Sequence, residues 1–321
     1  MIINLDRYFF YYNTSLTDID RIFYYCTGLS CVIPAKESHF ETRYIDPEDP
    51  ELGTEEIEVV DLPGLLDNNK NLTNASGLFG KCWNLVGSIP PELFRYNTLL
   101  KNLSRAFECC ASLSGEYPEK LLYYCPELQD TSYMFRNCDG LGLSYYDSED
   151  ETHMYAIPPR FFINNSKIRT VRSMWENMVT NSEIVKNENN YYGKTTNLRG
   201  VIPGQLFQTL GNSLTDIGYV FYNQWNLLGI LESRLFQQNT LITNSTYAFY
   251  YCNKLTGLGY DLYGTCKKLA DLSYAFYGCT GLTGQSFNYL ALSTVTNKHH
   301  CFTGCTNLDN HEDLLDAGWA E

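Results

Sequence analysis

Seven cysteines occupy one register of this sequence: Cys26, Cys82, Cys110, Cys138, Cys252, Cys279 and Cys305 each stand three residues after an aromatic and three before a Leu. Thiols repeated in this way offer two chemistries, disulfide pairing between neighbouring turns or ligation of a soft metal. The sequence favours neither. Met1-Ile2-Ile3-Asn4-Leu5-Asp6 has neither the basic start nor the apolar core of a signal peptide, so the twelve cysteines read as reduced thiols. A small buried side chain filling a tight corner suits the column, with Met178 and Gln224 standing in for it at two places. His299-His300-Cys301 and Cys305 have ligand types for zinc, but Cys301 takes the apolar position before Phe302 and Cys305 belongs to the thiol column. Asp147, Glu149, Asp150 and Glu151 could gather a weak calcium ion, yet they lack the glycine turn of a dedicated loop and read as a solvated acidic tip. Gly193-Lys194-Thr195 ends like a phosphate loop, but Glu188 stands where such a loop needs Gly. With five His, two of them adjacent, and no Gly-x-Ser-x-Gly or His-Glu-x-x-His, no catalytic constellation takes shape. No cofactor, no resident metal and no enzymatic activity are expected.

The tyrosines are better placed for recognition. Tyr219, Tyr247 and Tyr274 stand two residues before a core aromatic in consecutive repeats, and Tyr222, Tyr250 and Tyr277 stand one residue after it. Both columns flank inward positions, so at least one is expected to face solvent. Such rows suit stacking on sugar rings or anchoring a protein, unless the rings simply stack on one another along the chain of repeats.

What positions these residues is a repeat. Apolar-aromatic-x-x-Cys-x-x-Leu recurs as Ile22-Phe23 to Leu29, Leu78-Phe79 to Leu85, Ala106-Phe107 to Leu113, Met134-Phe135 to Leu141, Val220-Phe221 to Leu227, Ala248-Phe249 to Leu255, Ala275-Phe276 to Leu282 and Cys301-Phe302 to Leu308. Met174-Trp175-Glu176-Asn177-Met178 is a degenerate ninth copy whose Leu198 is displaced. The basic period is 28 residues, and an apolar residue also stands seven positions before every aromatic. Apolar residues that recur once per turn cannot be buried by one turn alone, so the turns must stack into one core. The segment after each Leu reads as a short strand, stopped by a Pro turn such as Ile89-Pro90-Pro91-Glu92-Leu93-Phe94. That turn reads as helical, and the Leu-to-Phe stretch as an extended or helical arc.

These residues carry a resemblance. Leu-Thr-Asp-Ile-Gly-Tyr-Val-Phe at 214–221, the repeated Phe-x-x-Cys-x-x-Leu-x-Gly and the Ile-Pro-x-x-Leu-Phe segment resemble the BspA-like leucine-rich repeats, in the long-repeat variants of gut bacteria and their phages. The resemblance covers nearly the whole chain. The expected fold class is thus an α/β repeat solenoid, leucine-rich-repeat-like, with short parallel strands on one face and helical turns and extended arcs on the others. The resemblance implies adhesins, surface antigens or virion fibres. The reading is a non-enzymatic recognition or structural solenoid, a bacteriophage virion component (head or tail fibre) involved in host attachment and assembled in the host cytoplasm. The alternatives are a cell-surface adhesin of a bacterium or protist binding protein or glycan, and an enzyme with its site on the insertions.

The net charge of −14 argues against a nucleic-acid partner, and no apolar run approaches the roughly 18 residues of a membrane span. The acidity is local. Repeat spacing places insertions at 35–61, 143–155 and 179–196; the first has ten acids against Lys36 and Arg43 and the second four acids and no base, which leaves the body of residues 1–308 nearly neutral. Insertions 143–155 and 179–196 are expected along one edge and 35–61 at the opposite edge. Residues 309–321 are expected to cap the last turn with Leu314, Leu315 and Trp319. The start has no such cover, so Ile3, Phe9 and Phe10 are expected to meet another chain or a preceding domain.

Overall fold

The computed structural model describes residues 5–45, 49, 53–138, 140–142, 145–147, 150–178 and 198–321. Nine repeats lie one on another. Asp18, Asn74, Asn102, Asp130, Thr170, Asp216, Asn244, Asp271 and Asn297, each five residues before the aromatic, are bridged in parallel from one turn to the next. Short polar side chains stand here because they turn the chain: their oxygens accept the N–H two residues on, as in Ser132 to Asp130 (2.8 Å) and Gly218 to Asp216 (2.9 Å).

The arc that follows is neither strand nor helix. Two residues before the aromatic, Arg21, Arg105, Tyr133, Ser173, Tyr219, Tyr247, Tyr274 and His300 all adopt left-handed φ of 54–59°, and Gly77 stands there in the second turn. A left-handed L-residue costs roughly 1–2 kcal/mol. What offsets it is a ladder, because alternating handedness aims every second N–H along the stack. Ile217, Tyr219, Phe221 and Asn223 thus donate to the carbonyls of Asn244, Thr246, Ala248 and Tyr250, at 2.7–3.0 Å. All these donors point toward the C-terminal end. In the first turn, the carbonyls of Asp18, Asp20, Ile22 and Tyr24 accept from no other described residue.

Past each Leu, parallel pairing resumes as the bridges Gly87 to Leu113, Gly115 to Leu141 and Gly284 to Leu308, and as strands. β1 (Glu37–Tyr44) and β2 (Thr54–Leu62) form an antiparallel hairpin within the first insertion. β3 (Tyr145–Asp147) and β4 (Asp150–Tyr155) form a second one, and β4 continues in parallel through β5 (Gly200–Val201), β6 (Leu227–Leu231) and β7 (Leu255–Leu258). The second insertion is therefore an outgrowth of the strand column, whereas the first leaves from the Pro corner after Ile33. The third, 179–196, lies outside the described residues, so the expected shared edge is not on view.

The expected helical Pro turns are single turns closed by bonds such as Leu93 N–H to Pro90 O (3.1 Å) and Leu206 N–H to Pro203 O (3.0 Å). In this respect the α part of the expected class is thin: the one α-helix among the described residues, α1 (His311–Asp316), lies past the last repeat. Single turns suffice because the corner spans only a few residues before the chain must reverse.

Inside, the aromatics form a column of rings. Phe23, Phe79, Phe107 and Phe135 stack at centroid spacings of 5.6–5.9 Å, and Trp175, Phe221, Phe249, Phe276 and Phe302 at 5.2–5.6 Å. Beside it runs a column that the sequence reading passed over. Asn69, Asn97, Asn165 and Asn239, each ten residues before the aromatic, are fully buried, and each Nδ2 donates to two carbonyls of the turn before. Cys125 and Cys266 take the same position in other turns. Over the last turn, Leu314 and Trp319 are buried and Leu315 half-buried, while Asp309, Glu312, Asp313 and Asp316 are exposed. The Trp319 carbonyl accepts the Phe302 N–H at 2.8 Å, which meets one of the four ladder donors of the last turn; those of Lys298, His300 and Gly304 have no partner among the described residues.

Candidate functional site

The thiol column is held by more than its size. The sulfur of Cys82, Cys110, Cys138, Cys252, Cys279 and Cys305 lies 2.8–3.3 Å from the carbonyl oxygen of an aromatic one turn earlier, to which each thiol donates. No disulfide joins any of the twelve. Burial pushes the Cys82 and Cys305 thiols up to about 12, and Cys110 and Cys279 well above their ordinary value. Such thiols are neither nucleophiles nor ready ligands.

One expectation in this column is corrected. Met178 does not fill the corner: half of its surface is exposed. Gln224, the other stand-in, does fill the corner in its own turn. Its amide donates to the Trp175 carbonyl, the role a thiol plays elsewhere, and its Oε1 accepts the Leu198 N–H at 2.9 Å, bridging the interruption. A thioether cannot donate, which is why Met178 fails.

Both tyrosine columns project from the arc and are half-buried. Tyr219, Tyr247 and Tyr274 stack at 4.8 and 4.5 Å, and Tyr222, Tyr250 and Tyr277 at 4.8 and 5.0 Å. The ends of the first column are covered too, by the Arg172 guanidinium 4.8 Å over Tyr219 and by the His300 ring 4.8 Å from Tyr274. The ring faces of the first column and the inner faces of the second are thus taken up within the protein. No stacked partner covers the outer faces of Tyr222 and Tyr277, at the two ends of the second column, among the described residues. Burial raises Tyr219, Tyr222 and Tyr250 and pushes Tyr247 up to about 12, so these phenols stay neutral.

The first hairpin is pinned at its base. The Lys36 ammonium pairs with Glu58 and lies 3.3 Å from Glu92, and Arg95 reaches Glu58 (3.0 Å) and Glu92 (2.9 Å). Hydrogen bonds from Lys36 and then Ser38 hold the Glu58 carboxyl down at about 2. Farther out, Glu55 and Glu56 are exposed, as is Phe40 at 68%. Of the acidic tip, Asp147 lies in β3 and Asp150 and Glu151 in β4, with Asp147 opposite Asp150; their side chains, like all of Glu149, lie outside the described residues.

At the N-terminal end, Ile3 also lies outside the described residues. Phe10 is corrected: only 2% of it is exposed, because it packs under Phe9 and against Phe23, so it belongs to the core. The open surface there is Phe9 (50% exposed), Ile22 and Tyr25, beside the row of unused carbonyls. Among the cavities at the corners are one of about 510 Å³ lined by Ser233, Arg234, Gln237 and Asp261, and one of about 340 Å³ lined by Arg160, Ile163, Gln205 and Gln208. Neither has a His or a thiol in its lining.

A grouping absent from the sequence reading lies at the other end, where His299 and His300 face Glu321. The adjacent histidines are visible in sequence; their carboxylate, some twenty residues on, is brought by the cap. No protein-family model matches the chain, and a search among curated proteins found no match either.

Proposed function

We propose that the chain is a BspA-like repeat solenoid with a non-enzymatic recognition or structural role, working as part of a larger assembly that it joins through its N-terminal end. The inequality of the two ends carries this reading. The apolar end of the last turn is covered by buried Leu314 and Trp319, and Trp319 also takes the Phe302 N–H. The first turn has no such cover among the described residues and leaves Phe9, Ile22, Tyr25 and four carbonyls available to a partner. A wet edge of this kind invites pairing. The virion setting rests on the repeat resemblance together with the reduced thiols, which suit assembly in a cytoplasm.

Sedimentation of the intact chain and of Phe9→Ser and Ile22→Ser variants tests the assembly. Association that weakens in both variants supports it, and a monomer at every concentration, with no partner recovered at that end, sinks it. Mass analysis of purified virions against a membrane fraction separates the virion role from a surface adhesin.

A further inference from the structure

We propose that His299, His300 and Glu321 form a site for a borderline divalent cation such as Zn²⁺, which fastens the C-terminal cap to the last turn. His299 Nδ1 lies 2.8 Å from Glu321 Oε1, and His300 Nδ1 lies 3.5 Å from Oε2 of the same carboxylate. One ligand atom from each residue falls within 4.8 Å of the other two. A tetrahedral ion with bonds of about 2.0–2.1 Å separates its donors by about 3.3 Å, so small side-chain rotations seat it. Two imidazoles and one carboxylate are a donor set for Zn²⁺, Co²⁺ or Ni²⁺, and leave a fourth position for water.

The ligands are held from outside the cluster. Adjacent residues of an extended chain point to opposite sides, but the left-handed backbone of His300 (φ 54°) brings the two imidazole centroids to 3.8 Å. Both rings lean on Tyr274, at 5.9 and 4.8 Å. Glu321 is fixed by its own N–H, which donates to Thr303 Oγ1 at 3.0 Å, and that hydroxyl lies 3.2 Å from His300 Nδ1. The Thr303 hydroxyl thus holds the Glu321 main chain beside the ring, and it must give up His300 Nδ1, the nitrogen facing the carboxylate, when the ion binds. The other histidine–carboxylate group differs. His39 offers Nδ1 to Asp61 and Nε2 to Glu41, so its two contacts lie on opposite sides of one ring and cannot meet at an ion. The buried Cys301 and Cys305 stay outside the ligand set, since each thiol is fully buried in the stack.

Titration of the full chain with Co²⁺ and Zn²⁺ is the test. The expected result is one saturable site whose Co²⁺ spectrum shows nitrogen and oxygen ligation without a thiolate charge-transfer band. His299→Ala and Glu321→Gln should weaken binding at least tenfold, and His39→Ala should leave it unchanged. Because the metal would tie residue 321 to residues 299 and 300, exchange of the Phe302 amide, the donor to Trp319, should slow on loading. Absence of saturable binding, a thiolate band, or wild-type affinity in the His299 and Glu321 variants would overturn the proposal.

Discussion

At the scale of single residues, the interior is organised by polar atoms as much as by apolar ones. Six of the seven thiols of the column close a bond to the turn before, so size and donor capacity both suit the position. Thiol-specific labelling should therefore leave Cys110 and Cys279 untouched until the chain is denatured, with half-buried Cys26 and Cys31 reacting first. Rapid native labelling of Cys279 would contradict this packing. Phe276 lies between Phe249 and Phe302, at 5.2 and 5.3 Å, and is fully buried. Phe276→Ala should cost on the order of 3–5 kcal/mol, read from denaturant unfolding. The Asn column allows a sharper comparison. Asn239→Leu leaves the Phe207 carbonyl with the Leu210 N–H alone and takes the Asn239 amide from that of Gly211, at a cost of about 1–3 kcal/mol for a carbonyl left unpaired. Asn239→Cys should be milder, since Cys125 and Cys266 occupy the equivalent place, and equal losses in the two variants would show that the amide bonds contribute nothing.

At the scale of elements, what could be read from the sequence followed from burial, and what could not followed from backbone geometry. A ring that must be buried once per turn marks its position every 28 residues, which is how Phe79, Phe107 and Phe135 announce themselves. The left-handed arc leaves no such mark. Arg105, Ser173 and Tyr219 share one φ but no chemistry, and only Gly77 hints at what the position demands. The Asn column was legible in principle, at a constant ten residues before the aromatic, but polar residues are not sought in a core. Glu321 was not, because its neighbours are set by how the cap folds back. The hairpin of β1 and β2 makes a prediction of its own. With the Glu58 carboxyl held at about 2 by Lys36 and Ser38, below the unfolded value of about 4.5, its contribution is complete above that range and is lost as pH falls toward 2. Amide protection factors across β1 and β2, corrected for the intrinsic rate at each pH, should fall over that interval while those of the stacked repeats hold. Glu58→Gln should show the lower protection already at neutral pH, and hairpin protection indifferent to both pH and the substitution would remove Glu58 from its role.

At the scale of the whole molecule, the hydrogen-bond ladder has a direction. Donors face the C-terminal end and acceptors the N-terminal end, so two copies meeting by their first turns would oppose carbonyl to carbonyl, whereas a last turn stripped of its cap would match a first turn. Removal of residues 309–321 should therefore convert the chain into head-to-tail polymers, visible by sedimentation and electron microscopy, and Phe9→Ser in the shortened chain should stop their growth. A shortened chain that stays monomeric would mean that the two edges do not fit. The same direction sets a schedule for biosynthesis. Each turn leaves the ribosome with its N–H groups waiting for carbonyls about 28 residues behind it in the message, so the nascent chain carries an unquenched donor edge through every intermediate length. Trp319 emerges last and takes the Phe302 N–H of that edge, so chains halted before it should present the whole donor row of their last finished turn.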